Sequence, residues 1–334
     1  WKEQEDMRAL ELRGDKGIDS IVYTTERPIP VPENDEILVQ VKAVGLNPVD
    51  YQIAEGFGDV NLDEPVVLGL DVAGIVKDIG ASVKEFKPGD RVFYHGNLEK
   101  ANGGFAEYAC TTSRTASKLP ESINFVQAAA IPCSGFTAYQ AVIRKLKPEV
   151  GDTILIHGGA GGVGGYAVQL AKLRGMYVYT SCSEYNFEYV RSLGADEAID
   201  YNKVDVHEEI MRRTNGRGVD CVVNTLNTWT ATRDLGILAF GGQLVAIEGL
   251  PRFEEFTFFE KAISIHEVAL GAAHINGDLK SQKFLAQMGD AYISMLQQGE
   301  IQLPQIQTVR LEEIPSFLRR MKTRHGTGKT VAVP

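Results

Sequence analysis

Cysteine is scarce in this chain. Four stand in 334 residues, at positions 110, 133, 182 and 221, and no two have the C-x-x-C spacing of a zinc ribbon or a dithiol redox motif. No uninterrupted apolar stretch is long enough to span a bilayer. The opening WKEQEDMRALEL is charged and lacks the apolar core of a secretory signal. Secretion is therefore not expected; reduced thiols in a cytosolic or organellar-matrix protein are, with the cytoplasm as the expected location. Basic clusters are lacking too: 34 Lys and Arg face 44 Asp and Glu, a net charge of -10. That balance argues against a general nucleic-acid or anionic-membrane surface. The six histidines have no metal-ligand spacing, and no Ser/His/Asp arrangement is legible from their order. There is no internal repeat and no low-complexity tract. The remaining composition, 23% charged and 44% hydrophobic, is ordinary for a globular protein, and the length suffices for two domains. The first expected strand, MRALEL, begins at Met7.

The most informative stretch runs from Thr153 to Met176, TILIHGGAGGVGGYAVQLAKLRGM. A short apolar strand passes through a glycine-packed turn into an amphipathic helix, and a second strand follows from Tyr177. Gly159, Gly161 and Gly164 fit G-x-G-x-x-G, the fingerprint of a dinucleotide-binding βαβ unit when strand and helix flank it. The first glycine allows the tight turn, the second a close approach to a pyrophosphate, and the third close packing of helix on strand. The helix start adds unpaired N–H groups and the positive end of its dipole. Gly159, Gly161, Gly162, Val163 and Gly164 are the expected phosphate contacts.

Around this motif the texture divides the chain. Residues 7 to about 120 read as β-rich, with short strands such as ILVQVKAV, VAGIVKDIG and DRVFYH between Pro and Gly punctuation. From about residue 124, strands TILIH, YVYTSC, EAID, VDCVVNTL, QLVAIEG and ISIHEVAL alternate with helical segments. That alternation is the signature of a doubly wound parallel sheet. A long helix-like segment from about Leu279 to Gln298 closes this region. The tail returns to short strands and one helix, ending in TVAVP. The economical arrangement is a β-rich domain interrupted by the doubly wound one and completed by the tail.

The ordered pieces AVGLNPVDYQIAEG, LGLDVAGIVKDIG, FKPGDRVF, GGFAEYA, AAIPCSGFTAYQAV, GGAGGVGGYAVQLAK, LGADEAIDY, GVDCVVNTL and GKTVAVP cover nearly all of the chain from Met7. In this order they resemble the zinc-independent medium-chain dehydrogenases/reductases of the quinone oxidoreductase (zeta-crystallin-like) group. The resemblance implies an α/β protein. Its GroES-like β-rich catalytic domain would take residues 1–124 and 298–334, and its Rossmann NADPH-binding domain residues 125–297, with a cofactor cleft between them. Zinc-dependent relatives carry Cys where this chain has Asn47 and His-Glu where it has Leu70-Asp71. Leu70 cannot bind a metal, Asn47 is a poor zinc ligand, and Cys133 falls near the third ligand's position. Only Cys110 lies in the region of the structural zinc loop. No metal is expected.

NAD-binding units place Asp or Glu at the end of the second strand. Here that end reads Tyr179-Thr180-Ser181-Cys182-Ser183, hydroxyls without a carboxylate. In NADPH-using quinone reductases a small hydroxyl residue, a Lys and a Tyr surround the 2′-phosphate. Ser183 and Tyr201 match the first and last, Asn186 stands at the lysine position, and Arg324 matches an arginine from the tail. Glu184 is either a displaced ribose ligand or a solvated residue in the first turn of a helix, the second being preferred. NADPH is thus expected over NADH.

By the same resemblance Asn47 lies near the nicotinamide ribose or the substrate; its alternative is a loop amide capping the turn before Pro48. Asp50 is expected to order this loop. Tyr51 is a candidate donor to a carbonyl oxygen on which enolate charge develops. Many quinone reductases carry their Tyr one place later, at Gln52, and adjacent side chains point apart. Thr137 resembles a family threonine near the cofactor. Asn224 and Leu226 end the fourth strand, at the ligand-binding edge of such sheets. Glu248, Gly249 and Leu250 follow the next strand, near where the family holds the carboxamide. His157 is expected to be strand packing, and Lys329 a solvated charge with no role. The function implied is NADPH-dependent reduction of quinones or α,β-unsaturated carbonyls. The alternatives are an enoyl-thioester reductase of the same family and a non-catalytic, crystallin-like NADPH binder. A homodimer is expected through the strand in Ile263 to Gly271, whose apolar edge would otherwise be exposed.

Overall fold

The computed structural model describes residues 5–14, 16–58, 65–254, 256–257, 259–323 and 326–334. The described chain forms two compact units. One holds the residues up to Cys133, Leu270–Gln297 and Gln305–Pro334, and the other Ser134–Ala269 and Gln298–Pro304.

The first unit is built on a seven-stranded sheet. Its strands run in the order Ile306–Arg310, Lys329–Val333, Glu36–Gly45, Asp71–Ile79, Arg91–His95 and Ala116–Lys118, and Tyr108–Thr112 also pairs with Glu36–Gly45. A three-stranded sheet of Ile21–Pro28, Asp6–Leu12 and Val66–Val67 belongs to the same unit. β-Branched and apolar residues dominate these strands, and their inward side chains (Ile37, Val39, Val72, Val92 and their neighbours) form a continuous core. Register is what matters for function. Gly45 lies opposite both Asp71 and Val331, and Asp71 opposite His95. Leu46 N–H then bonds Thr330 O at 2.9 Å. Residues distant in sequence, from 45 to 331, thereby meet at one end of the sheet. Here the chain leaves the strand into helix α1 (Pro48–Ala54), with Asn47 as its N-cap and Pro48 opening its first turn.

The second unit is an all-parallel six-stranded sheet: β1 (Thr153–His157), β2 (Tyr177–Cys182), β3 (Glu197–Asp200), β4 (Val219–Asn224), β5 (Leu238–Ala246) and β6 (Ser264–Glu267). The spatial order β3-β2-β1-β4-β5-β6 is that of a dinucleotide-binding doubly wound fold, with its order reversing between β1 and β4. The helices include α2 (Gly162–Leu173), α3 (Val206–Arg213) and α4 (Thr228–Ile237). Strand β1 is apolar and buried nearly throughout because a parallel sheet is covered on both faces. The expected fold class is the one observed.

The unit boundaries differ from the expected 125–297. Residues 125–133 and helix α5 (Leu279–Gln297) lie in the first unit. Helix α5 is anchored there by polar bonds as well as by buried Leu285, Met288 and Tyr292: Ser117 Oγ donates to Ala286 O at 2.7 Å and Arg114 Nε to Gln282 Oε1 at 2.7 Å. The segment Gln298–Pro304, expected with the β-rich domain, sits in the second unit. There Gln302 and Gln169 exchange two backbone–amide bonds, at 2.7 and 3.1 Å.

A buried polar cluster ties the second unit together. Asp234 of α4 is fully buried, and its Oδ1 accepts from His157 Nε2 at 2.9 Å and His207 Nε2 at 2.8 Å, while its Oδ2 accepts from Asn224 Nδ2 at 2.6 Å. Burial acts to raise the Asp234 pKa, but the charge of His157 and the hydrogen bonds from His157, His207 and Asn224 outweigh it and hold the group at about 2. The stability it contributes is present above the ordinary carboxylate range and lost as pH falls through about 2. Asp234→Ala is expected to cost about 3–5 kcal/mol in urea unfolding, because three buried donors lose their acceptor. Asp234→Asn, which keeps one acceptor oxygen, is expected to cost less; equal losses, or none, would show that the cluster is not what joins β1, β4, α3 and α4.

Candidate active site

In the second unit the glycine turn follows β1 directly. Gly158 takes a left-handed conformation (φ +68°), and the Gly158 and Gly159 N–H groups both donate to Ser181 O, at 3.0 and 3.2 Å. A Cβ on Gly164 would lie 2.2 Å from Gly158 O, so helix α2 reaches this depth only with glycine there. A Cβ on Gly159 would meet Thr180 Oγ1 at 2.0 Å. Gly161 caps α2 without a side-chain hydrogen bond, and no acidic residue stands in the first turn. The N–H groups of Gly162, Val163 and Gly164 therefore keep their positive character for an anion.

At the ends of the neighbouring strands the expected residues divide. Ser183 Oγ accepts from Asn186 Nδ2 at 3.1 Å, and Tyr201 is exposed. Glu184 is ion-paired with Lys203, Nζ to Oε2 2.5 Å, with both side chains exposed. Lys203 is a residue that sequence reasoning missed. It lies two positions after Tyr201, and its nearness to Glu184 depends on β2 and β3 being neighbours. Asn224 is buried and its amide is committed to protein: Nδ2 to Asp234, Oδ1 to the Leu226 N–H at 2.9 Å. It shapes the turn that presents the exposed Leu226. Glu248 is exposed, and a Cβ on Gly249 would lie 2.4 Å from Thr228 Oγ1. Thr137 is buried in the helical run after Cys133. Arg324 lies outside the described residues. His157 does pack within the sheet, but as a polar link, with its Nδ1 at 3.2 Å from Ser181 Oγ.

In the first unit the sheet end described above gathers a charged cluster. Lys329, expected at the surface, is only 6% exposed. Its ammonium donates to Asn47 Oδ1 at 2.5 Å and Leu46 O at 3.2 Å, and lies 3.5 Å from Asp71 Oδ2. Strand Lys329–Val333 pairs beside Glu36–Gly45, so a lysine that looks terminal in sequence points inward. Asn47 Nδ2 donates to Asp71 Oδ2 at 2.8 Å, and Asp71 Oδ1 accepts the Cys133 N–H at 2.9 Å. Asp50 Oδ2 accepts the Asn47 N–H at 2.8 Å, which orders the start of α1. Tyr51, one residue on, is half-buried and packs against the apolar core of this unit.

Burial pushes both carboxyls up. For Asp50, desolvation and the charge of Asp71 outweigh the Asn47 hydrogen bond and the charge of Lys329, and bring it to about 8; Asp71 is raised by burial against Lys329 and Asn47. One ammonium balances one carboxylate. Asp71 is in reach of Lys329, whereas Asp50 Oδ1 is buried without a hydrogen-bond partner, so Asp50 is the group that keeps its proton. His95, opposite Asp71 in the sheet, is lowered to about 4 by burial, with the charge of Lys329 adding to the effect, and stays neutral.

A GroES-like unit and a 3-2-1-4-5-6 sheet with this glycine turn define a medium-chain dehydrogenase/reductase. Comparison with known proteins agrees. Residues 33–121 match the alcohol dehydrogenase GroES-like domain, and residues 162–286 match the family described as zinc-binding dehydrogenase. A quinone oxidoreductase of Pongo abelii is 34% identical over 242 residues, 72% of this chain and 73% of the relative. A solved quinone oxidoreductase of Pseudomonas syringae superposes with a TM-score of 0.87 at 26% identity, over 98% of this chain and 100% of the other. A trans-enoyl reductase of Aspergillus terreus is 37% identical over 196 residues, 55% of each chain. The chain belongs to the quinone oxidoreductase family of medium-chain dehydrogenases/reductases.

That family uses a nicotinamide cofactor, and a glycine turn that packs the helix start this closely on the strand, with no acidic residue in the first turn, fits one. Zinc, named in one family description, does not fit. Leu70 offers no donor, and the Asn47 amide is engaged by Lys329 and Asp71. Asp71, His95 and Cys133 do each bring a donor atom within 4.8 Å of the others, but the Lys329 ammonium lies beside them. His157, His207 and Asp234 meet the same distance limit and are joined by N–H···O bonds instead.

The protonated Asp50 carries a sign that can be tested. Its folded pKa is raised to about 8, so the stability it contributes is complete below the ordinary carboxylate range and lost as pH rises toward 8. Relative to Asp50→Asn, which does not titrate, the wild type is expected to lose about 1.4 kcal/mol per pH unit between roughly pH 5 and 8. Urea unfolding of both proteins at three pH values checks this; parallel pH profiles would mean that Asp50 is ionised in the folded protein.

Proposed function

We propose that this chain is a zinc-independent reductase that uses NADPH and acts on quinones or α,β-unsaturated carbonyl compounds. The observation that carries the cofactor assignment lies at the end of β2. The acid of an NAD site is missing from the strand itself, Ser183 and Asn186 offer donors, and Lys203 brings the cation that the lysine position lacks. Glu184 is held by that same lysine, which leaves it poorly placed to act as a ribose ligand. A 2′-phosphate at Ser183 would draw the Lys203 ammonium by a charge-assisted bond. The backbone N–H groups of Gly162, Val163 and Gly164 bind the pyrophosphate, and Thr137, Leu226, Glu248 and Gly249 line the nicotinamide side. Arg324 is retained as an adenosine-side contact.

When bound, the cofactor supplies the hydride. The chain's own contribution is to orient the acceptor, exclude water and stabilise charge. Reduction of a conjugated carbonyl leaves an anion that is already delocalised, which needs less Lewis-acid help than the localised alkoxide formed from a simple ketone. One hydrogen bond to its oxygen suffices, from Tyr51, from a backbone N–H, or from Asn47 Nδ2, which keeps its bond to Asp71 and spends its second hydrogen on only a weak 3.4 Å contact with Gly45 O. Solvent supplies the final proton. The likeness to a trans-enoyl reductase supports a second reading, reduction of an enoyl thioester; parallel NADPH oxidation assays with a quinone, an enone and an enoyl thioester separate the two. Binding of NADPH with no turnover of any of these would favour the non-catalytic alternative.

The assembly proposed is a homodimer. Strand β6 closes the parallel sheet with only β5 beside it among the described residues, and its outer edge is a template for a second copy. A cytoplasmic location is proposed on the thiols: none of the four cysteines forms a disulfide. No described helix is long and apolar enough to cross a membrane.

Titration of both cofactors into the protein is expected to show at least about a tenfold preference for NADPH. Lys203→Ala should lower NADPH affinity by about tenfold and leave NADH unchanged. An NADH preference abolished by Glu184→Ala would reverse the assignment. For catalysis, Tyr51→Phe is expected to cost well under the 10²–10³ in rate typical of a main oxyanion donor, because its ring packs on the core. Quinone reduction should survive exhaustive chelation, and activity restored only by zinc would overturn the metal-free reading.

A further inference from the structure

Lys329 is buried, and its ammonium is held by Asn47 Oδ1 and Leu46 O and faces Asp71. Three groups around it are suited to a divalent metal. Asp71, His95 and Cys133 converge within 4.8 Å, and His95 Nδ1 is buried with no hydrogen-bond partner. A tetrahedral zinc needs bonds of about 2.0–2.3 Å to such donors, so only a small closing movement separates this arrangement from a three-ligand site. What opposes it is charge. Asp71 already faces the Lys329 ammonium at 3.5 Å, and a metal bound to that carboxylate would lie within a few ångströms of a fixed positive charge. The ammonium cannot withdraw to water, since Asn47 Oδ1 and Leu46 O hold its other N–H groups and the side chain is buried.

We propose that Lys329 is the resident cation of this pocket, standing where a divalent metal would otherwise be held by Asp71, His95 and Cys133 and keeping that metal out. The inference deepens the zinc-independent reading by naming its cause, and it does not depend on which cofactor or acceptor the protein uses. Its consequence is that loss of one positive charge creates a metal site in the full chain.

The test is cobalt binding, because a Co²⁺–thiolate bond gives a charge-transfer band that reports the ligand directly. Full-length protein is stripped with chelator and titrated with Co²⁺. The wild type is expected to show no thiolate band. Lys329→Met should bind one Co²⁺ per chain with that band, at least about 100-fold more tightly than the wild type. The band should vanish in Lys329→Met/Cys133→Ser. Lys329→Gln, which keeps a donor toward Asn47 and removes only the charge, should behave like Lys329→Met. A thiolate band in the wild type would overturn the proposal. So would folded Lys329→Met and Lys329→Gln proteins that take up no Co²⁺. Failure of both variants to fold would make Lys329 a structural counter-ion and overturn it equally. Activity that resists chelation in a wild type whose variants gain no metal would leave the reductase reading standing while removing this explanation of it.

Discussion

A carboxylate taken out of water costs several kcal/mol unless donors surround it, and both units of this protein are organised by that requirement. In the second unit Asp234 gathers His157, His207 and Asn224, which come from β1, α3 and β4. In the first, Asp71 gathers Asn47, Lys329 and the Cys133 N–H from three separate stretches of chain. Neither carboxylate could sit where it does without its partners. The partners in turn fix where strands end and where turns begin.

The glycine turn after β1 is tied to the first of these clusters. His157 links Asp234 to Ser181 Oγ, and the Ser181 carbonyl receives the N–H groups that start the glycine turn. A chain of bonds thus runs from a buried helix carboxylate to the backbone of the glycine turn. Pre-organised N–H groups of this kind need no rearrangement when an anion arrives. The end of β2 is built differently. Glu184 and Lys203 are exposed there, and an ion pair between exposed side chains is weak in water.

In the first unit the charge arithmetic sets the chemistry. One ammonium, two carboxyls and a neutral histidine lie at one end of a sheet, and the group that balances least well, Asp50, keeps its proton. The Asn47 amide is held between Lys329 and Asp71, so its orientation is decided by the cluster before any ligand is present.

Local pattern made much of this legible in the sequence. Strand periodicity, the G-x-G-x-x-G turn between strand and helix, and the absence of an acid at the end of β2 each depend on a few neighbouring residues, and period and turn chemistry act at that range. The two-part architecture followed from the change in texture near residue 124. The features that sequence could not supply are those set by register and packing between distant segments. Helix α5 reads as one more helix of the doubly wound region until Ser117 and Arg114 hold it to the other unit. Lys203 finds Glu184 only because β2 and β3 are neighbours in the sheet. Asn224, read as a ligand contact, is committed to Asp234 in its own unit. Lys329 read as a surface charge because a lysine is seldom buried without a partner, and no Asp or Glu stands near it in sequence. The pairing of Val331 with Gly45, across nearly the whole chain, turned it inward beside Asp71, where a buried carboxylate required a cation.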